Sequence, residues 1–425
     1  MASRTTTNAR AATAVWLALL MLIPVLLSAA FFMNQSLRLD ESQSLWQTSR
    51  SFTDIFYIVA GDVHVPLYHL LLHFWRLYLG DGVAVARVMS LLFYVISIPA
   101  LYALGKLAYN RATSLFATFL FAISPFMNWY GNEIRMYTLF TFFVILNQYC
   151  FVKIFKGQAS ETVWAWYALT AILGVFSHYF FFLSLASQVV FYFLRRDLFP
   201  AGSFKRLAAA AIIVVVAFAP WAWFVLHVGQ AGFSEPLLPV PTTVNLFSTF
   251  SQFLFGFQND NINTFFLSLW PVAIIFGLLT LRRNRRLSPE TEYFLTALLV
   301  SVGVAFFVSF IVAPIFVSRY LIFTVPSLYL LLASLFSNYA PRFARGACCR
   351  DARDARGRDS EPDDAGQRKL RGRGRIPQHA HNHAGRGGIF GAVHDLSGRI
   401  LLHRPLAARD AAGMEPVRLR PHSRF

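Results

Sequence analysis

Residues 207–226 read LAAAAIIVVVAFAPWAWFVL, an uncharged stretch held between Lys205-Arg206 and His227. A hydrocarbon core about 30 Å thick is crossed by a helix of roughly 20 residues rising 1.5 Å each. The stretch is therefore a membrane span, and it decides the fold class. Comparable runs lie near 13–33, 86–108, 112–128, 135–152, 162–177, 179–194, 263–281, 292–313 and 320–338. With about ten such runs the chain is expected to be all-α, a polytopic transmembrane helix bundle. Composition agrees, since 56% hydrophobic, 16% aromatic and only 14% charged residues over 425 positions exclude an ordinary soluble domain. Cys150 sits in an apolar run and Cys348 adjoins Cys349, which gives neither a disulfide framework nor metal-ligand spacing.

The chain has two unlike parts. Residues 1–341 hold 41 of the 44 Phe, every Trp and every Tyr, with 20 Lys and Arg against 12 Asp and Glu. Residues 342–425 hold 17 Arg and carry 18 basic against 9 acidic side chains, so about half of the net charge of +17 belongs to this tail. The basic total is thus no argument for nucleic acid as a partner. The tail, without periodicity and rich in Arg, Ala, Gly, Pro and His, reads as a low-complexity, disordered segment. Those residues are also what GC-rich codons give when read out of frame, so a shifted frame is the alternative reading. His379, His381 and His383 lie in this segment and are not taken as metal ligands.

Orientation follows from charge. With a cytoplasmic N-terminus, 14 of the 20 basic residues of the first part fall inside, and Arg38, Arg50, Arg76, Arg87, Arg135 and Arg319 remain outside. Acidic residues run the other way, so carboxylate chemistry is expected on the extracytoplasmic face of the cell membrane. Ser28-Ala29-Ala30 would suit a signal peptidase, but the run Ala14 to Met33 is long enough to span and reads as a retained helix. Two outer loops are long. In residues 34–85 the stretch Val65 to Tyr78 has apolar positions at helical spacing and reads as a helix lying in the interface, touching membrane lipids. In residues 227–262, Pro236, Pro239 and Pro241 precede an aromatic stretch from Phe247 to Phe257, also expected at the interface.

The outer ends carry the candidate chemistry. Arg38-Leu39-Asp40-Glu41-Ser42 follows the first span, and a carboxylate pair at a membrane boundary is a functional candidate by default. Burial and mutual repulsion are expected to raise one of the two pKa values, making a base for a hydroxyl near neutral pH. Gly61-Asp62-Val63-His64-Val65-Pro66-Leu67-Tyr68 supplies donors and acceptors suited to sugar hydroxyls. His69 and His73 stand four apart as a metal pair would, but no third ligand is near and interfacial packing is the preferred reading. Tyr130-Gly131-Asn132-Glu133-Ile134-Arg135-Met136-Tyr137 crowds a carboxylate, a guanidinium and a phenol into one tight turn, and Arg135 suits bidentate phosphate binding. His178-Tyr179 and Ser318-Arg319-Tyr320 complete the set. Arg319 either serves a phosphate or snorkels to the interface.

Taken in order, these motifs resemble those of the membrane glycosyltransferases of the GT-C fold, of the family 39 type that includes protein O-mannosyltransferases and bacterial aminoarabinose transferases. Asp40-Glu41 resembles the acidic motif of the first outer loop and His64-Val65-Pro66-Leu67-Tyr68 the H-x-P-L-Y segment. Tyr130 to Tyr137 resembles Y-x-x-E-x-R-x-Y, and Arg319-Tyr320-Leu321 followed by Pro326 resembles the late R-Y-L element. The resemblance covers residues 12 to 335, and members usually continue into further spans and a soluble domain. It implies transfer of a sugar from a polyprenyl-phosphate donor to an acceptor hydroxyl of a protein, lipid or polysaccharide, with inversion at the anomeric centre. Asp40 would be the general base and Glu41 would orient donor or acceptor. Arg135 and Arg319 would hold phosphate, while His64, Tyr68, Glu133, Tyr137, His178, Tyr179 and Tyr320 would shape the substrate site. No metal and no other cofactor is expected. The rival readings are a transporter or lipid flippase, another lipid-handling enzyme and a non-catalytic scaffold. Transporters place their polar residues near mid-bilayer and often carry internal repeats, whereas here they gather at one end of the runs.

Overall fold

The computed structural model describes residues 2–32, 35–62, 64–228, 238–259, 261–262, 265–266, 268–270 and 287–337. The basic tail and most of the expected span at 263–281 lie outside the described residues. The described elements are α1 (Ala2–Phe32), α2 (Leu39–Thr48), α3 (Phe52–Ala60), α4 (Pro66–Leu79), α5 (Val83–Ala108), α6 (Arg111–Ala122) and α7 (Pro125–Gly131). There follow α8 (Tyr137–Phe155), α9 (Glu161–Ser177), α10 (Phe181–Leu194), α11 (Ser203–Val228), α12 (Thr243–Phe255) and α13 (Pro289–Ile311). A 3-10 segment, Ser318–Thr324, runs into α14 over 325–337. No strand occurs among the described residues, as the apolar runs require.

Six of the described helices are long and apolar enough to cross a membrane, or seven if α6 and α7 form one broken span. The expected ten also counted the run at 263–281, most of which lies outside the described residues, and the runs at 162–177 and 179–194. Those two fold as short helices of 17 and 14 residues that run between the two ends of the bundle, from Glu161 to Ser177 and from Phe181 back to Arg195. The run at 112–128 is bent by 58° between α6 and α7, because Pro125 at the first position of α7 lacks the N–H that would continue the ladder and Ser124 caps the new helix.

Burial separates centre from rim. Within their apolar windows, 72% of residues are buried in α8 but only 17% in α1 and α11, so α8 forms the middle and the other two present broad apolar faces, as lipid contact demands. α8 packs on α5, α9 and the 3-10 segment, and α5 also packs on α6 and α1. The aromatic stretch of the second loop is drawn onto the bundle rather than left wholly at its surface. Phe253 is fully buried beside Phe126, with centroids 5.1 Å apart, and its carbonyl accepts from Tyr329 Oη at 2.7 Å.

The two ends of the bundle differ chemically, along the division that the charge pattern predicts. One end is tied by Lys156–Glu290 at 2.8 Å, Arg206–Glu161 at 2.7 Å and the pairing of Arg195 with Glu292. At the other end, α2 to α4 and the turns between them meet the connections 132–136 and 178–180. Arg76 holds α4 to α2 by donating to Leu45 O and Thr48 Oγ1, both at 2.8 Å, while His73 Nδ1 bonds Thr48 O at 2.9 Å. The expected interfacial helix is present as α4, with His69 and Leu72 fully buried against its neighbours.

Candidate functional site

Asp40 and Glu41 occupy the first turn of α2, where unpaired amides favour carboxylates. Glu41 Oε2 accepts the Arg38 backbone N–H at 3.1 Å, the backward half of a capping box. Arg87, just past the first turn of α5, grips the same carboxylate with both prongs, Nε to Oε1 at 2.9 Å and Nη2 to Oε2 at 2.8 Å. The Ile134 N–H reaches Oε1 at 3.2 Å. Four donors thus take up the roughly four acceptor positions of a carboxylate. Glu41 is 0% and Arg87 1% exposed, and the remaining Arg87 N–H groups go to the carbonyls of Gln35 and Ser36 at 3.1 and 3.3 Å. Burial pulls the Glu41 carboxyl upward, but Arg87 and the two amides outweigh it and hold the group below its ordinary value. The expected rise within the Asp40–Glu41 pair does not occur at Glu41. With no lone pair left for a substrate, Glu41 fastens α2 to α5 and to the 132–136 turn.

That clamp presents its neighbour. Asp40 is half-buried and pairs through Oδ2 with Arg319 Nη1 at 3.0 Å. Glu133 pairs with Arg38 at 3.3 Å rather than with Arg135 two residues on, and the Arg38 guanidinium lies 3.7 Å over the Trp129 ring. Arg135 is 4% exposed and touches Ser44 Oγ at 3.3 Å and, weakly, the Asp40 carbonyl at 3.5 Å. Among the described residues it has no carboxylate partner, and its Nε is buried without an acceptor. Four guanidinium groups thus face three carboxylates, and the uncompensated positive charge sits on Arg135. A buried, incompletely satisfied guanidinium is a receptor for an anion.

Burial pushes the Glu133 carboxyl up to about 7, against the pull of Arg38 and Arg135 and with the help of Asp40 and Glu41. The folded chain therefore holds this proton more tightly than the unfolded chain, whose carboxyl titrates near 4.5. The stability tied to Glu133 is complete below about pH 4.5, falls as pH rises, and is lost above about pH 7. Glu133→Gln, neutral throughout, is expected to flatten this fall in a series of thermal unfolding curves against pH. An unchanged profile would assign the titration to another group.

The other expected residues gather around this core in two groups. Tyr137, His178 and Tyr320 form one, with His178 stacked on Phe140 at 4.8 Å and 5.5 Å from the Tyr320 ring. His178 Nδ1 accepts the Phe180 N–H at 3.1 Å, which leaves the proton on Nε2, and burial together with Arg135 and Arg319 lowers its pKa to about 3. It is a neutral donor at any ordinary pH. Gly174 makes this turn possible, because a Cβ there would meet the buried Phe181 ring at 2.0 Å. Tyr137 Oη is buried without a hydrogen-bond partner among the described residues. The second group is structural in its contacts: Tyr68 Oη bonds Ser90 Oγ at 3.0 Å, and Tyr179 Oη donates to the His64 carbonyl at 3.2 Å. His64 Nε2 lies 3.9 Å from Asp62, whose Oδ2 accepts from Gln43 and Gln47 of α2, each at 2.8 Å. Among the described residues no three His, Cys, Asp or Glu side chains lie close enough to hold a metal ion.

Sequence reasoning missed Arg38 and Arg87 as members of the site, having counted both as loop charges. Arg87 left a readable sign, a lone cation near the start of a long apolar helix, where an ionisable side chain is costly and needs a partner.

The family model described as dolichyl-phosphate-mannose-protein mannosyltransferase matches residues 63–224, somewhat more than a third of the chain. Among solved structures, ArnT from Cupriavidus metallidurans in the apo state superposes with a TM-score of 0.57 at 14% identity, over 80% of this chain and 62% of that one. The same enzyme bound to undecaprenyl phosphate superposes with a TM-score of 0.55 at 14% identity, over 79% and 61%. The chain thus spans about three fifths of the length of the proteins whose fold it shares. No curated protein matches it by sequence. The fold is the GT-C membrane fold that the resemblance implied, and the family match takes in two of its four motifs, those at 64–68 and 130–137.

Proposed function

We propose that the chain is a membrane glycosyltransferase that moves a sugar from a polyprenyl-phosphate-linked donor to an acceptor hydroxyl on the extracytoplasmic face, with inversion. The observation that carries this reading is the half-buried Asp40 fixed by the Glu41–Arg87 clamp beside two guanidinium groups, of which Arg135 lacks a carboxylate partner. The donor phosphate binds Arg135 and draws Arg319 away from Asp40, which uncovers the base. The acceptor oxygen attacks the anomeric carbon while Asp40 takes its proton. The bond from that carbon to the phosphate oxygen breaks, and polyprenyl phosphate leaves with its charge held by the two arginines. The apolar faces of the bundle and the match to an enzyme solved with undecaprenyl phosphate support a lipid-linked donor. Placement of this end on the extracytoplasmic side rests on the positive-inside distribution.

The test is sugar release from radiolabelled polyprenyl-phosphate sugars by membranes carrying the whole chain, compared with Arg319→Gln at equal expression. The expected outcome is donor turnover in the wild type and a KM for donor raised by about tenfold or more in the variant, as loss of one charge-assisted contact predicts. Absence of turnover with every donor, in a chain that is folded, would remove the reading and favour a transporter.

A further inference from the structure

Between α1, α7 and α12 lies a cavity of about 420 Å³. A groove of the same volume between α3, α4, α9 and α11 is almost wholly apolar. The cavity differs in kind. Four neutral amides, Gln35, Asn128, Asn132 and Gln258, share its wall with the exposed rings of Trp129 and Phe257, and among the described residues no charged side chain lines it. Asn128 and Asn132 are 7% and 3% exposed, and the Oδ1 of each is buried without a hydrogen-bond partner among the described residues. Asn132 Nδ2 donates to the Asn128 carbonyl at 2.7 Å, which fixes the amide and leaves Oδ1 as an acceptor in want of a donor. Buried acceptors without donors are rare and destabilising, and two on one turn of helix call for a reason. Single waters are far smaller than this space, which has the size of a ligand site.

The ligand that answers such a wall carries hydroxyl donors for the amides, an apolar C–H face for the rings, and no net charge. That is a pyranose. We propose that this cavity is a saccharide-binding subsite that takes a neutral sugar ring of the acceptor, so that the acceptor is a glycan. The assignment to the acceptor rests on the glycosyl-transfer reading above. The cavity adjoins the reacting groups: Trp129 carries Arg38, the Arg38 partner Glu133 follows Asn132 in the chain, and Asp40 lies two residues past Arg38.

The experiment uses the full chain in lipid nanodiscs, with methyl α-D-mannopyranoside and N-acetylglucosamine as probes and glycerol as a polyol without a ring. Saturation-transfer NMR reads binding in the wild type, in Asn128→Leu and in Gln35→Ala. Asn128→Leu deletes a partnerless acceptor while keeping the branching of the side chain, so its Tm is expected to equal or exceed that of the wild type while sugar binding falls at least about fivefold. Gln35→Ala spares the main-chain carbonyl that Arg87 uses and is expected to weaken binding in the same sense. Absence of transfer from either sugar, or equal transfer in the wild type and both variants, would overturn the subsite. Release of sugar from the lipid-linked donor into water, which needs no acceptor, is measured on the same samples. Donor turnover without sugar binding removes the subsite alone. Sugar binding that is sensitive to Asn128→Leu but comes without donor turnover keeps the subsite and removes the transferase reading.

Discussion

Asp40→Asn is expected to lower sugar transfer by roughly 10²–10⁴, the usual contribution of a positioned base, while leaving the fold in place. The side chain is isosteric, and its one ion pair, to Arg319 at 3.0 Å, joins two groups each about one third exposed. Such a pair is worth about 0–1 kcal/mol, so the unfolding midpoint should hardly move. What the amide cannot do is accept the acceptor proton. Asp40→Glu keeps the carboxylate but shifts it by a methylene, and should retain a small fraction of activity, since a misplacement of about 1 Å costs about 10². Initial rates with a lipid-linked donor, taken at saturation, make the comparison. A turnover for Asp40→Asn within about threefold of the wild type would place the base elsewhere, with Glu133 the next carboxylate to test.

Arg87→Met is expected to destabilise the chain by about 3–5 kcal/mol, the largest single-site effect foreseen for it. The substitution leaves Glu41 fully buried, still ionised by two backbone amides but stripped of both prongs of its partner. The connection from Gln35 to Arg38 loses its anchor at the same time. The double variant Arg87→Met/Glu41→Leu should recover part of the loss, because an apolar pair of similar volume often replaces a buried ion pair at little cost, although the capping contact to Arg38 is still gone. Unfolding in detergent by denaturant gives the four corners of the cycle, and a positive coupling between the two sites is the expected result. A single variant as stable as the wild type would mean that Glu41 is not held by Arg87. Activity should fall in step with the loss of structure around Asp40, since the clamp acts on the base through position alone.

The structure redistributes roles that the sequence motifs suggested. Asp40 and Glu41 are neighbours in the chain, yet one is closed inside a four-donor cage and the other meets a cation 279 residues further along the sequence. The expectation of one raised carboxyl in this pair came from their adjacency. The group found with a raised value is Glu133 instead, because it is desolvated while its cation, Arg38, is shared with the Trp129 ring. Glu133 and Arg135, two apart in the tight turn, look like a local pair but are not one, since alternate positions of a turn turn their side chains to different neighbours.

Some properties of the chain are fixed by short-range physics and were legible without coordinates. Apolar runs of membrane length make helices in hydrocarbon wherever they occur, because backbone groups there have no other partner. The all-α bundle, the division of its two ends by charge and the helix at Val65 to Tyr78 followed from that, whereas the break at Pro125 inside the expected run 112–128 did not. The motifs also marked which turns meet, in so far as all lie at one end. The span count was less legible, because α9 and α10 run between the two ends with only 17 and 14 helical residues, and apolar length alone does not identify so short a crossing. Nor did the pairing of charges. Which of four arginines meets which of three carboxylates depends on contacts separated by 46 residues for Arg87 and Glu41 and by 279 for Arg319 and Asp40. At such separations only the tertiary packing of α2 against α5, the 132–136 turn and the 3-10 segment brings the groups within the few ångströms over which electrostatic energies are decided.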